Sequence, residues 1–149
     1  MPLTLSPLTA DTYQDVLRLH VAEDQRGYVS PNVRSLADAW ARPTARPMGL
    51  WEDGTAVGFA LLDDAPERPG TLDLVRYMID EGRQGRGLGR AGLAAVVDLA
   101  RQEGFARVRL SVVPGNTTAD HLYGSVGFRA TGEVDDGETV MVLDLDGSA

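Results

Sequence analysis

The hydrophobic positions of this 149-residue chain change their spacing several times, and each spacing predicts a different element. Residues 3–5 alternate between apolar and polar, as a short strand does. Residues 13–20 carry apolar side chains at helical spacing, behind a predicted cap at Thr9 or Asp11. A loop with Gly and Pro then leads to a short helix, which Ser35 is predicted to cap. The chain is therefore expected to begin with one strand and two helices.

The next part of the chain is predicted to form strands. Two apolar runs, 48–51 and 56–62, flank Glu-Asp-Gly-Thr, and an Asp-Gly pair between apolar runs is a strong signal for a β-hairpin. An acidic, proline-containing stretch at 63–70 is predicted to form a surface turn before a third strand that begins at Leu72. The hairpin places the first two of these strands side by side in antiparallel order.

The rest of the chain alternates helices and strands. A long third helix is predicted to end at Gly104, a strand to cover 108–113, and a fourth helix to cover 118–126. Two strands, 127–133 and 139–145, flank a final acidic turn. A strand, a helix and a strand in succession indicate a parallel pair with a right-handed crossover, so the fold is predicted to be α/β with a mixed sheet.

The loop before the long helix has the composition of a phosphate-binding loop. Glycines let the backbone approach an anion, and the free N–H groups and the dipole of a helix N-terminus attract negative charge. Arginine side chains supply further donors of matching geometry. The residues of this loop are Arg83, Gln84, Gly85, Arg86, Gly87, Leu88, Gly89 and Arg90.

Two nucleotide-binding motifs overlap this loop. Residues 87–92 read Gly-x-Gly-x-x-Gly, but the next strand ends in Pro114 without the acidic residue that a dinucleotide-binding fold places there. A Walker loop needs a lysine, and the chain contains none. The first match is therefore weak, and the second motif is excluded.

The loop instead resembles the pyrophosphate loop of the GNAT superfamily of N-acetyltransferases. That family carries Gln/Arg-x-x-Gly-x-Gly/Ala after its fourth strand, as at 84–89. Its second block corresponds here to Asn116-Thr-Thr-Ala-Asp-His-Leu-Tyr123 followed by Gly127-Phe128. Two blocks in the right order are far more specific than one. The segments that also resemble the bacterial spermine/spermidine acetyltransferase branch are 21–25, 30–32, 35–37 and 76–80.

The resemblance implies a GNAT fold over a single domain, 1–149. Such a fold has a twisted, mixed, mostly antiparallel sheet of about seven strands with about four helices, and its parallel strands 4 and 5 are splayed apart. The implied activity is transfer of acetyl from acetyl-CoA to a primary amine by direct attack, and the absence of cysteine agrees with a route that has no acyl-enzyme. A polyamine or diamine such as spermidine or spermine is the expected acceptor. A peptide amino terminus, a protein lysine, and a non-catalytic acyl-CoA sensor are the alternatives.

The family pattern assigns roles to individual residues. Tyr123 is the expected general acid, because a phenol with a pKa of about 10 keeps its proton at neutral pH and can give it to a leaving thiolate. Asn116 is expected to hydrogen-bond the pantetheine arm, although helix capping is an equally good use for it. Tyr77, Met78 and Ile79 are expected to bind the cofactor through backbone N–H groups that a bulge in their strand frees. Core packing is the alternative role for these side chains and for that of Tyr123.

The general base departs from the family pattern. Some polyamine acetyltransferases of the superfamily carry a glutamate nine residues before the loop glutamine, and that position is Val75 here. A water relay to Asp73, Asp80 or Glu23 is a second route, although each of these acids has an ordinary use in a salt bridge or at the surface.

Charge favours a cationic substrate over nucleic acid. A net charge of −8 disfavours a nucleic-acid partner and raises the local concentration of amines. The ammonium groups of a polyamine need spaced carboxylates, for which the candidates are Glu23, Asp24 and Glu138. Candidate aromatic partners for cation–π contacts are Tyr28, Trp40 and Trp51, for which core packing is the alternative role.

The sequence offers few metal ligands and no membrane segment. It has no cysteine and two isolated histidines, so no metal site is expected. The amino terminus lacks a signal-peptide pattern, and no apolar run approaches the roughly 20 residues that span a bilayer. We therefore expect a cytoplasmic protein with no membrane partner, whose last strands offer an edge for a homodimer.

Overall fold

Seven strands form one mixed sheet in the computed structural model, which describes residues 3–145. The strands are β1 (Leu3–Pro7), β2 (Ala45–Glu52), β3 (Thr55–Asp63), β4 (Thr71–Ile79), β5 (Arg107–Val112), β6 (Arg129–Asp135) and β7 (Glu138–Asp144). The helices are α1 (Tyr13–Leu17), α2 (Asn32–Ala41), α3 (Leu88–Gln102) and α4 (Thr117–Val126), with short 3₁₀ turns at Glu23–Gln25 and Glu81–Arg83.

The sheet is antiparallel except at its centre. Its order is β1-β2-β3-β4-β5-β7-β6, and β4 and β5 are the parallel pair. That pair is joined at three register positions, from Thr71 opposite Arg107 to Asp73 opposite Arg109, and the two strands diverge beyond them. The predicted α/β fold, with a mixed and mostly antiparallel sheet and splayed strands 4 and 5, is confirmed.

Two apolar layers cover the two faces of the sheet. Side chains alternate along β3, so that Leu62 enters the layer under α3 and α4, whereas Phe59 enters the layer under α1 and α2. In the first layer Leu93 and Val96 of α3 are fully buried, and in the second Val16 of α1 is fully buried. Each such side chain contributes about 2 kcal/mol of hydrophobic stabilisation, so burial on both faces fixes the position of the central strands.

Both acidic turns form hairpins. Asp53 and Gly54 have φ angles of +52° and +76°, and Asp136 and Gly137 have φ angles of +50° and +79°. Two consecutive residues with positive φ are typical of the type I′ turn, whose twist matches that of the strands it joins. The predicted β2–β3 hairpin and the turn between the last two strands are therefore confirmed.

The predicted cap of the second helix is wrong. Helix α2 begins at Asn32 after Pro31, and Ser35 lies fully buried inside the helix. The amide of Asn32 donates to the carbonyl oxygen of Val16 at 2.8 Å, which ties the start of α2 to α1. A contact between two helices therefore determines this boundary, and a local capping signal does not.

The predicted cap of the first helix and the start of the surface turn are also wrong. Neither Thr9 nor Asp11 caps α1, because Thr12 occupies the cap position and its hydroxyl accepts from the Thr9 N–H at 2.9 Å. Asp63, predicted in the turn, is the buried last residue of β3. Its carboxylate accepts from Arg42 at 2.9 Å and from Thr44 at 2.6 Å, which compensates for its burial.

Within residues 3–145, no helix is both long enough and apolar enough to cross a bilayer.

Candidate active site

The divergence of β4 and β5 opens two cavities that meet at Tyr77, Asn116 and Ala119. The first, here called the loop cavity, has a volume of about 330 Å³. It is lined by Val21, Gln25, Tyr77, Met78, Ile79, Gln84, Gly85, Gly87, Gly89, Arg90, Asn116, Thr118, Ala119 and Leu122. The second, here called the tyrosine cavity, has a volume of about 150 Å³. Its polar lining residues are Tyr28, Ser30, Arg76, Tyr77, Ser111, Asn116, Tyr123 and Glu138.

The glycine loop leaves open space above its backbone. Gly85 and Gly87 both have a φ of +80°, and no atom of the described chain lies within 4 Å of a Cβ built on either residue. Gly87 also occupies the cap position of α3, where no described side chain accepts from the first N–H groups of the helix. These N–H groups therefore remain available to bind a diphosphate.

The arginines of the loop differ in their surroundings. Arg90 lines the loop cavity and forms no ion pair within residues 3–145. Arg83 and Arg86 instead lie 3.8 and 3.2 Å from a carboxylate oxygen of Glu52. The guanidinium of Arg90 is therefore the one that needs no exchange of partners to bind an anion.

The loop is tied to the end of β4 by side-chain hydrogen bonds. The hydroxyl of Tyr77 donates to the carbonyl oxygen of Gly89 at 2.6 Å, and a Cβ at Gly92 would collide with that hydroxyl. The Gln84 amide donates to the carbonyl oxygen of Ile79 at 2.9 Å and to the side-chain oxygen of Gln25 at 3.0 Å. Burial raises the pKa of Tyr77, which keeps its hydroxyl a donor. The first turn of α3 is thereby held against β4.

Most residues predicted to bind the cofactor line the loop cavity. The exceptions are Arg86, which faces Glu52, and Leu88, whose side chain is buried in the core. The N–H of Leu88 still belongs to the first turn of α3. The structure brings together the remaining predicted residues, which are Tyr77, Met78, Ile79, Gln84, Gly85, Gly87, Gly89, Arg90 and Asn116.

Strand β4 contains the predicted bulge. Leu61 of β3 lies opposite Arg76 and Leu62 lies opposite Leu74, so Val75 is the extra residue. Its side chain is 45% exposed and borders the tyrosine cavity. From Leu74 onward, β4 has no ladder partner on its β5 side, which leaves backbone groups of Tyr77 to Ile79 facing the loop cavity.

Tyr123 lies on α4 and Asn116 at the start of that helix, next to the gap between the diverging strands β4 and β5. The Tyr123 ring is half-buried and packs edge-on against Phe128, with ring centroids 5.8 Å apart. Burial raises the pKa of Tyr123 to about 12, so the phenol keeps its proton at neutral pH. The Asn116 oxygen accepts from the Ala119 N–H at 3.2 Å, which makes Asn116 the cap of α4 as well as a wall of both cavities.

Only one of the predicted substrate carboxylates lies in a cavity of the splay. Glu138 lines the tyrosine cavity, and its carboxylate accepts from the Ser111 hydroxyl at 2.8 Å. Glu23 and Asp24 are exposed on the first 3₁₀ turn and line neither cavity. Three-dimensional placement therefore separates Glu138 from the other two predicted carboxylates.

Two of the three acids predicted for a water relay, Asp73 and Asp80, already have partners, and the third, Glu23, is exposed and lines neither cavity. Asp73 is buried and ion-paired with Arg68. A carboxylate oxygen of Asp80 accepts from the backbone N–H of His20 at 3.0 Å. Both contacts are structural roles for these acids.

The candidate aromatic residues are dispersed. Tyr28 lines the tyrosine cavity, whereas Trp40 is exposed on α2 and the Trp51 ring packs over Gly49. Among residues 3–145, no group of three His, Asp or Glu side chains is placed to hold a metal ion.

Sequence reasoning missed Gln25 and Ser111. Gln25 is the last residue of the first 3₁₀ turn and reaches Gln84 across 59 positions of sequence, so no local pattern reveals it. The one signal for Ser111 is a polar residue within an otherwise apolar part of β5.

Comparison with known proteins identifies the family. The model of the acetyltransferase (GNAT) family matches residues 13–128. This chain belongs to the GNAT acetyltransferase family. The GNAT chain is 36% identical, over 152 aligned positions, to the spermine/spermidine N(1)-acetyltransferase of Bacillus subtilis strain 168. That alignment covers 97% of this chain and 100% of the relative. The protein is thus an N-acetyltransferase that uses acetyl-CoA, as the two sequence blocks predicted.

Solved structures of GNAT proteins share the fold. An acetyltransferase from Thermus thermophilus superposes with a TM-score of 0.79 at 25% identity, covering 97% of this chain and 98% of that one. The PaiA N-acetyltransferase from Thermoplasma acidophilum, solved with coenzyme A, gives a TM-score of 0.71 at 14% identity and covers 97% and 99% of the two chains. The predicted GNAT fold is therefore confirmed.

Proposed function

We propose that this GNAT protein transfers acetyl from acetyl-CoA to a primary amine of a polyamine or diamine such as spermidine or spermine. The observation that carries the proposal is the alignment with the Bacillus subtilis spermine/spermidine enzyme over nearly the full length of both chains. The net charge of −8 and the presence of Glu138 beside Tyr123 support a cationic acceptor. Residues 1–149 act as a single domain in this proposal.

The loop cavity is proposed to hold the cofactor. Backbone donors at Gly85, Gly87 and the first turn of α3 bind the diphosphate, together with the Arg90 guanidinium. The cap uses the oxygen of Asn116, so its NH₂ group would be free to donate to the pantetheine arm, and the backbone groups of β4 that lack a ladder partner would supply further hydrogen bonds. When bound, acetyl-CoA supplies the activated thioester.

The tyrosine cavity is proposed to hold the amine, which attacks as the neutral form. Tyr123 donates a hydrogen bond to the departing sulfur. An ordinary thiol has a pKa of about 8.5, below the value of about 12 for Tyr123, so complete transfer of the phenol proton to sulfur is uphill. As the N–C bond forms and the C–S bond breaks, the amine nitrogen gives one proton to Tyr123 and Tyr123 gives one to the sulfur, so the products are the amide, the neutral thiol and the unchanged phenol, and Tyr123 serves both as donor and as relay.

The acids are proposed to recognise the charged part of the acceptor. Glu138, oriented by Ser111, binds an ammonium group next to the reacting amine. Glu23 and Asp24 act earlier, as exposed charges that favour the encounter with a cation. We also propose a cytoplasmic location and a homodimer through β6, the exposed edge strand of the sheet.

The experiment is release of coenzyme A thiol from acetyl-CoA by the purified protein with a panel of amines. Spermidine, spermine and putrescine are expected to drive release, whereas butylamine, which has a single nitrogen, is the matched control and is expected to react poorly. Release driven only by a lysine peptide or a peptide amino terminus would replace the polyamine with a protein acceptor. A protein that acetyl-CoA stabilises against heat, but that acetylates no amine, would be a sensor.

A further inference from the structure

A third cavity adjoins the tyrosine cavity. It has a volume of about 370 Å³, and the two cavities share Leu74, Val75 and Ser111. We call it the acidic cavity, because five carboxylates and three guanidinium groups line it. The exposed, bulged Val75 forms the boundary, so an apolar surface separates two polar cavities. A polyamine has the same alternation of polar and apolar parts, because methylene segments separate its charged nitrogens.

The β6–β7 hairpin contributes one carboxylate to each of the two cavities. Asp135 and Glu138 are cross-strand partners on either side of the Asp136–Gly137 turn. Glu138 lines the tyrosine cavity, and Asp135 lines the acidic cavity. Directly opposite residues on one face have Cβ atoms roughly 4.5–5.5 Å apart, a distance that a short methylene spacer bridges.

Asp135 keeps uncompensated negative charge. Arg109 is its partner at 3.0 Å, but the same guanidinium nitrogen also lies 3.3 Å from a carboxylate oxygen of Glu133. One positive charge is thus shared by two carboxylates, and the Asp135 side chain is 52% exposed. By contrast, Asp73 in the same cavity is buried and paired with Arg68. Asp135 can therefore bind a further cation, and among the acids of this cavity it is the one paired across the hairpin with Glu138.

We propose that the acceptor groove runs from Tyr123 over Val75 into the acidic cavity and distinguishes polyamines by the number of their nitrogens. The inference rests on the proposed function. The reacting amine lies beside Tyr123, Glu138 binds the next nitrogen as an ammonium, and the following methylene segment crosses Val75. Asp135 binds the third nitrogen. A diamine ends before it reaches Asp135, which makes Asp135 a specificity-determining residue for triamines and tetraamines.

The test compares spermidine with putrescine in Asp135→Asn. The variant is expected to lower kcat/KM for spermidine roughly three- to fivefold, as the loss of a partly exposed ion pair implies, and to change kcat/KM for putrescine less than twofold. Asp136→Asn is the matched control. It removes the same charge from the same hairpin, lies outside both cavities, and puts asparagine at a positive φ that asparagine tolerates. It is expected to leave both values unchanged.

A second variant tests the path between the cavities. Val75→Lys places a cation on the boundary and is expected to lower kcat/KM for spermidine more than for putrescine. Stabilisation of the cofactor-free protein by spermidine, measured as a Tm shift, should fall in both Asp135→Asn and Val75→Lys. Equal losses for the two amines, or an equal effect of Asp136→Asn, would overturn the groove while polyamine acetylation stands. Wild-type protein that acetylates no amine would overturn the proposed function itself.

Discussion

The loop cavity and the tyrosine cavity, both between the diverging strands β4 and β5, are lined by different kinds of residue. The loop cavity takes eight of its fourteen lining residues, three of them glycines, from 77–79 and 84–90, and the other six from 21–25 and 116–122. The tyrosine cavity is walled by side chains from five separate parts of the chain, among them Tyr28, Ser111 and Glu138. A diphosphate is common to every reaction of an acetyl-CoA enzyme, so a backbone site serves it. An acceptor differs between enzymes, and side chains can change without altering the fold.

The largest expected effect tests the role of the glycine loop in the loop cavity. Gly87→Asp should raise the Kd for acetyl-CoA at least about 100-fold, because like charges about 4 Å apart repel by several kcal/mol in a protein environment. Calorimetric titration with acetyl-CoA measures it.

Gly104→Asp is the matched control for this change. Gly104 has a φ of +84° at the other end of α3 and equally open surroundings, so it carries the same backbone strain without a nearby ligand. Unchanged affinity in Gly87→Asp, or equal losses in both variants, would contradict the assignment of the loop.

The next effect tests the side chains of the tyrosine cavity. Tyr123→Phe should lower kcat by roughly 10²–10⁴ with little change in the Kd for acetyl-CoA, because the ring contact with Phe128 is kept and only the donor is lost. Steady-state kinetics with the best amine of the panel measure it. Tyr28→Phe, in the same cavity, should cost less than tenfold, and the reverse order would make Tyr28 the acid.

A smaller effect tests Tyr77, which lines both cavities and holds the glycine loop against β4. Tyr77→Phe removes the bond to the Gly89 carbonyl oxygen, which is worth about 1 kcal/mol, and should raise KM for acetyl-CoA about fivefold while kcat stays within twofold. Tyr13→Phe, on the exposed face of α1, is the control and should change neither constant. A fall in kcat without a change in KM would give Tyr77 a role in the chemistry.

The smallest effect is the expected absence of a descending limb in the pH profile of kcat/KM. Because burial raises the pKa of Tyr123 to about 12, kcat/KM for the amine should rise with pH as the amine loses its proton and should not fall again before about pH 10. Above pH 10 the unfolded chain loses this phenol proton while the native state keeps it, so native stability declines between pH 10 and 12. A descending limb near pH 8 would indicate a different acid.

The sequence predicts the loop cavity well because its determinants are local. Gly85 and Gly87 have a φ of +80°, which glycine reaches without strain, and the spacing of apolar residues predicts the helix that follows them. The side chain of Tyr77 shows the limit of this reasoning. Its backbone was predicted to matter, but its hydroxyl bonds to Gly89, and that contact depends on the absence of a side chain at Gly92.

The tyrosine cavity was predicted less completely because long-range placement decides it. Glu138, Glu23 and Asp24 are equally acidic in sequence, and only the pairing of β7 with β5 brings Glu138 beside Ser111. The start of α2 has the same cause, since Asn32 is held by the Val16 carbonyl of another helix. Contacts across tens of residues leave no local pattern.

The short ladder between β4 and β5 has a mechanical consequence. Three register positions join the two halves of the sheet, fewer than join any other pair of neighbouring strands, so the molecule resembles two leaves on a narrow hinge. A ligand that bonds to both leaves acts as a clasp. Backbone amides of β4 and β5 should then exchange with deuterium more slowly when coenzyme A is present. Without coenzyme A, local unfolding should begin where β4 pairs with β5.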